Sequence, residues 1–231
     1  MLKTLAIVAA VLLPATGSYQ PSTELRVLFI GNSLTAMNDL PSLVRRIGDA
    51  DGVKIRTGMV AANDFGLEEH WKDGRAVREI RLSRWDVVVL QQGPSSLPES
   101  RTMLRAYAAK FASVIREKGA RPAIYMVWPA KPYSASFERV SESHALAAGD
   151  VNGILLPAGD AWRAAWAKEP GAPLYAADNF HPSPQGSWVA ALVIYCGITE
   201  RAPAVVQLPR GFPSPELFRD SATEALRRVK P

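Results

Sequence analysis

The stretch Leu25-Arg26-Val27-Leu28-Phe29-Ile30-Gly31-Asn32-Ser33-Leu34-Thr35 decides how the rest of the chain is read. Its first six residues form a short, nearly continuous apolar run, the pattern of a strand buried on both faces. Gly31 ends the run, and a polar turn follows. The same pattern recurs in Trp85-Asp86-Val87-Val88-Val89-Leu90 and Ala123-Ile124-Tyr125-Met126-Val127-Trp128, and more weakly over 53–57 and 153–156. Helical periodicity fills the intervals over 39–50, 66–82, 100–118 and 136–148. In the third of these, Met103, Leu104, Tyr107, Ala108, Phe111 and Ile115 make one apolar stripe. Ser183-Pro184 reads as an N-cap followed by proline at the first helical position. Trp188, Ala191, Leu192 and Tyr195 continue that helix, and Ser214-Pro215-Glu216 starts a last one through Val229. Strand alternating with helix implies right-handed crossovers and a central, mostly parallel sheet covered on both faces.

The composition suits such a fold. The chain has 231 residues, 48% hydrophobic and 21% charged, enough for one good-sized core. Met1-Leu2-Lys3, an apolar run from Leu5 to Leu13, and Ala15-Thr16-Gly17 after Pro14 read as a signal peptide over residues 1–17. That run is too short to span a bilayer, so no stable membrane insertion is expected after cleavage. Residues 18–231 are then a single exported domain, periplasmic or secreted. One cysteine excludes an intramolecular disulfide framework, and Cys196, preceded by Val193-Ile194-Tyr195, reads as a buried apolar residue. Three scattered histidines suggest no metal cluster. A net charge of +5 without a lysine or arginine run gives no reason to expect nucleic acid as a partner.

In open parallel sheets, reactive groups gather beyond the carboxyl ends of the strands. Gly31-Asn32-Ser33 follows the first strand and Gln91-Gln92-Gly93-Pro94-Ser95 the third. Asp178-Asn179-Phe180-His181 lies in a late loop before a helix. A serine in a strand-to-helix turn is commonly a helix cap. Its chemical reading is a nucleophile, which needs a base to take its proton. His181 supplies the base, and Asp178, three residues earlier, can hold the other ring nitrogen. The competing reading of His181 is a loop histidine bonded to its own backbone.

Val27 to Thr35 resembles the first block of the SGNH (GDSL-type) hydrolases, and Asp178-x-x-His181 resembles their last. Gly-Asn-Ser in the first block, Leu174-Tyr175, and His181-Pro182-Ser183-Pro184-Gln185-Gly186 are closest to an exported bacterial subgroup. The resemblance implies a flavodoxin-like three-layer αβα sandwich and ester hydrolysis without metal or organic cofactor. Ser33 would be nucleophile, His181 general base and Asp178 its orienting partner. In the family's second block a glycine N–H serves the oxyanion hole; here Ala62 or Asn63 stands at that place. The third block, normally Gly-x-Asn, reads Gln91-Gln92-Gly93. Strand alternation favours Gln92 as the amide donor, with Gln91 close behind. The expected substrate is a small lipid or carbohydrate ester, with a fold-retaining carbohydrate binder as the alternative. His70 is expected to have a surface or packing role and His144 a solvated one. Ser95 and Ser96 are expected to shape a turn, and Glu68 and Glu69 point apart. Trp128, Pro129, Lys131 and Tyr133 fit either the cleft or the core.

Overall fold

The computed structural model describes residues 24–228, so the leader reading of residues 1–17, and Val229, lie outside it. Five strands, β1 (Leu25–Gly31), β2 (Ile55–Ala61), β3 (Val87–Leu90), β4 (Arg121–Tyr125) and β5 (Ile154–Leu156), form one all-parallel sheet in the order β2-β1-β3-β4-β5. The chain steps outward from β1 to β2, then crosses back to β3. Between β1 and β3 the winding therefore reverses, which opens a crevice at the carboxyl ends of these strands.

The continuous apolar runs have a direct cause. Val27, Phe29, Val87, Val89, Ala123 and Tyr125 enter one core, while Leu28, Ile30, Val88, Leu90 and Ile124 enter the other. All of them are fully buried. The first core is closed by α1 (Ser33–Ala36), α2 (Leu40–Ala50), α7 (Ala158–Lys168), α8 (Pro184–Thr199) and α9 (Pro215–Arg227). The second is closed by α3 (Leu67–Asp73), α4 (Arg75–Leu82) and α5 (Pro98–Glu117), with α6 (Phe137–Asp150) packed on α5. The result is a three-layer αβα sandwich. Helix α8 is buried on nearly every side and carries Cys196, whose thiol burial pushes up to about 12. No helix among the described residues is long and apolar enough to cross a membrane.

Three segments depart from the sequence reading. The helix expected over 66–82 is two, because Gly74 turns the chain at φ 79°. The run expected to continue to Trp128 leaves the sheet after Tyr125, and Trp128 stacks on Trp162 at 3.5 Å. Helix α7 gave no amphipathic signal because most of its residues are small and buried. For the site, the register of β1 on β2 matters most: it runs from Leu25 opposite Ile55 to Gly31 opposite Ala61. The first and second loops thus leave the sheet side by side.

Candidate active site

Asn32, not Ser33, caps the short helix after β1. Its Oδ1 accepts the Leu34 N–H at 3.1 Å, and its Nδ2 donates to the Phe65 carbonyl at 3.0 Å. The Ser33 hydroxyl is thereby left out of capping. It donates instead to His181 Nε2 at 2.9 Å, while His181 Nδ1–H donates to Asp178 Oδ2 at 2.6 Å. A carboxylate only accepts, so the proton sits on Nδ1 and Nε2 faces the hydroxyl as an acceptor. The bond to the His181 ring and the Phe180 and His181 N–H groups hold the Asp178 carboxyl down at about 2.

Sequence chemistry also fixes the loop that carries the pair. Asp178 Oδ1 accepts the N–H groups of Phe180 and His181, each at 2.9 Å, closing a turn around Asn179 at φ 59°. Other segments hold the loop from outside. Trp128 Nε1–H donates to the Phe180 carbonyl at 3.0 Å, and the Lys131 N–H donates to that of Asn179 at 2.8 Å. Asn38 Nδ2 donates to the Pro182 carbonyl at 3.0 Å and to Ser187 Oγ at 2.9 Å. Asn38, itself at φ 55°, thereby ties the segment just after Ser33 to the segment just after His181. The sequence reading passed it over; its one available signal was Asn38-Asp39, a pair suited to left-handed backbone.

Beneath the serine lies a buried polar floor. Gln91 Oε1 accepts from the Asn32 N–H and the Thr35 hydroxyl, both at 2.8 Å. Gly31 sits against this amide so closely that an added Cβ would lie 2.4 Å from Gln91 Oε1 and from Thr35 Oγ1. The Gly31 carbonyl accepts from the Ala62 N–H at 3.2 Å and from fully buried His70 Nε2–H at 2.8 Å. Gln92 Oε1 accepts the Leu67 N–H at 3.2 Å, and its Nε2 donates to Ser95 Oγ at 3.1 Å and the Ser100 carbonyl at 3.2 Å.

Neither a family model nor a curated protein sequence matches the chain. Solved structures do. A protein from Slackia heliotrinireducens assigned as an SGNH hydrolase is 29% identical, with TM-score 0.64 over 76% of this chain and 99% of that one. The chain has the fold of the SGNH (GDSL-type) hydrolases. A DUF4886 family protein from Bacteroides uniformis shares the fold of this chain at TM-score 0.74 and 19% identity, over 90% of this chain and 96% of that one. A catalytic variant of an acetylxylan esterase from Geobacillus stearothermophilus does so at TM-score 0.51 and 13% identity, over 76% and 93%.

Against the SGNH pattern, three expected oxyanion donors need correction. Ala62 is not free, because its N–H continues the sheet ladder to Gly31. The favoured Gln92 amide is spent on Ser95 and Ser100. The Gln91 Nε2 is buried without a partner, so it does not open on the cleft. Alternation misled because β3 ends at Leu90, and both glutamines fold inward beyond it. The N–H groups of Ser33 and Asn63 carry no hydrogen bond among the described residues.

Other residues separate cleanly. His144 is fully buried rather than solvated: its Nδ1–H donates to the Val140 carbonyl at 2.8 Å, and burial pushes the ring down to about 4. Ser95 does shape a turn, at φ 56°, donating to the Gly93 carbonyl at 2.9 Å. Glu69 caps the Gly66 N–H at 2.9 Å, while Glu68 bonds Lys72 and Tyr107. Trp128 is core, whereas Lys131 and Tyr133 are exposed. His70 is buried, and burial lowers its pKa, so it is held as the neutral donor to Gly31. His70→Leu is expected to lower kcat for ester turnover about tenfold by loosening Gly31, two residues before Ser33. Gln reaches as far as the imidazole Nε2, so His70→Gln should recover most of that loss; steady-state kinetics of the two variants check it.

Proposed function

We propose that the protein is an exported serine esterase acting on acyl esters of carbohydrates or small lipids. The observation that carries this reading is the continuous chain from the Ser33 hydroxyl through His181 to Asp178, at 2.9 and 2.6 Å. The likeness to SGNH hydrolases supports ester hydrolysis as the reaction. An acetylxylan esterase among the structural neighbours makes acetylated carbohydrate the favoured substrate. Export rests on the basic, apolar and small-residue pattern of residues 1–17.

In this reading His181 Nε2 takes the Ser33 proton as Oγ attacks the ester carbonyl. The N–H groups of Ser33 and Asn63 receive the oxyanion. His181, now charged and facing Asp178, returns the proton to the leaving alcohol. Water then attacks the acyl-serine by the same route and restores the hydroxyl. All of the chemistry is proton transfer and acyl transfer by these side chains.

One observation favours a second reading, a carbohydrate binder that has kept the fold. Both glutamine amides are engaged elsewhere or buried, and losing one oxyanion donor typically costs about a hundred- to a thousandfold in rate. Labelling with a fluorophosphonate separates the two. The esterase takes up one equivalent, and Ser33→Ala takes up none; a folded wild-type chain that stays unlabelled is the binder.

A further inference from the structure

Along the outer edge strand β2, between it and α4, two adjoining cavities of about 570 and 300 Å³ share Met59, Val60 and Glu79. Their lining is strongly basic. Arg56 and Arg84 flank the larger cavity and Arg78 the smaller; all three are exposed and have no carboxylate partner among the described residues. Arg75 also lines the smaller cavity and pairs with Asp73 at 2.7 Å, leaving Glu79 as the acid on the lining. Three of these arginines, Arg75, Arg78 and Arg84, fall on a sequence period of three with no charge run in it; Arg81, on the same period, lies on the other flank of α4. Within α4 each step is a rise of about 4.5 Å, so the charges form a line rather than a point. One end of the lining is Ala61, directly before the Ala62–Asn63 loop beside Ser33.

We infer that this groove binds a linear anionic polysaccharide, a chain bearing repeated carboxylates. Guanidinium groups pair with carboxylates in bidentate fashion, which suits a row of arginines to such a chain. The outer edge of β2 adds unpaired backbone N–H and C=O groups that can bond sugar hydroxyls. Two adjoining recesses fit a polymer better than a bilayer, which needs a projecting apolar face. Met59 is the exposed large apolar residue on the lining, and Leu82 sits on the other flank of α4. A polymer lying here leads toward the serine. That role as a substrate track rests on the esterase reading; the binding itself does not.

The test uses the Ser33→Ala chain, so no turnover intrudes, and titrates it with polygalacturonate at two salt concentrations. Binding that weakens with salt is expected, with none to a neutral xylan. Arg78→Glu combined with Arg84→Glu should weaken it about tenfold or more. The same pair in the Ser33 chain should leave p-nitrophenyl acetate turnover unchanged. Arg210→Glu with Arg227→Glu, exposed and outside the groove, changes net charge equally and should leave binding intact. Equal loss in both pairs reduces the effect to overall charge and overturns the groove. So does absence of polygalacturonate binding, or a preference for phosphatidylglycerol vesicles or an oligonucleotide over it. A chain that binds polygalacturonate through the groove but is not labelled by fluorophosphonate sinks the esterase reading alone.

Discussion

Ser33→Ala is expected to lower kcat for a small ester about ten-thousandfold or more, leaving only what backbone donors and binding supply. The fold should not notice. The hydroxyl meets His181 and takes no part in capping, which Asn32 performs, so the thermal midpoint should stay near that of the wild type. A variant that keeps a tenth of the wild-type rate would remove Ser33 as the nucleophile. Unfolding monitored beside the kinetics guards against a trivial loss.

Asp178→Asn tests the other end of the chain. The new side chain can still accept the Phe180 and His181 N–H bonds through Oδ1, so the turn survives. Its amide then donates toward Nδ1, which moves the ring proton to Nε2 and leaves Ser33 facing a donor. Losses of about ten-thousandfold follow from this tautomer error when the aspartate is buried. Here the carboxylate side chain is 51% exposed, so water can share the imidazolium charge, and a loss nearer a thousandfold is expected. The profile has a defined acid side. Asp178 is lowered to about 2, so it stays ionised through neutral and mildly acidic conditions, and a fall in rate there belongs to another group. Its contribution to folding is present above the ordinary carboxylate value and is lost only as pH drops through about 2. Fluorophosphonate labelling rates should fall in parallel with kcat; an unchanged labelling rate would sink the orienting role.

The sheet was legible because burial on both faces leaves an unmistakable mark: Val27–Ile30 and Val87–Leu90 have no polar alternation to confuse them. The edge strand β2 was blurred for the opposite reason, since Arg56 and Met59 are exposed and need not be apolar. Ser33, Asp178 and His181 were legible as a set because each follows a strand or precedes a helix at the same sheet edge, and the structure brings them within hydrogen-bonding reach. The floor of the site was not. Gln91, Gln92 and His70 are polar residues whose partners include backbone groups from other segments, and a linear pattern does not say which carbonyl or N–H will lie opposite. His144 misled for a related reason: it sits in a polar stretch of which Glu142 is exposed, while Ser143 and His144 turn toward the core. The arginine row was visible, but a search for contiguous charge skips a period of three.

The hydroxyl and its partner ring are 148 residues apart, and Asn38 ties their loops across a similar distance. During synthesis the serine is made early and waits, chemically ordinary, until the late histidine loop has emerged and docked. A nascent or prematurely terminated chain therefore carries the alcohol but no means to ionise it. Reactivity of this kind is self-timed: it switches on only with completion.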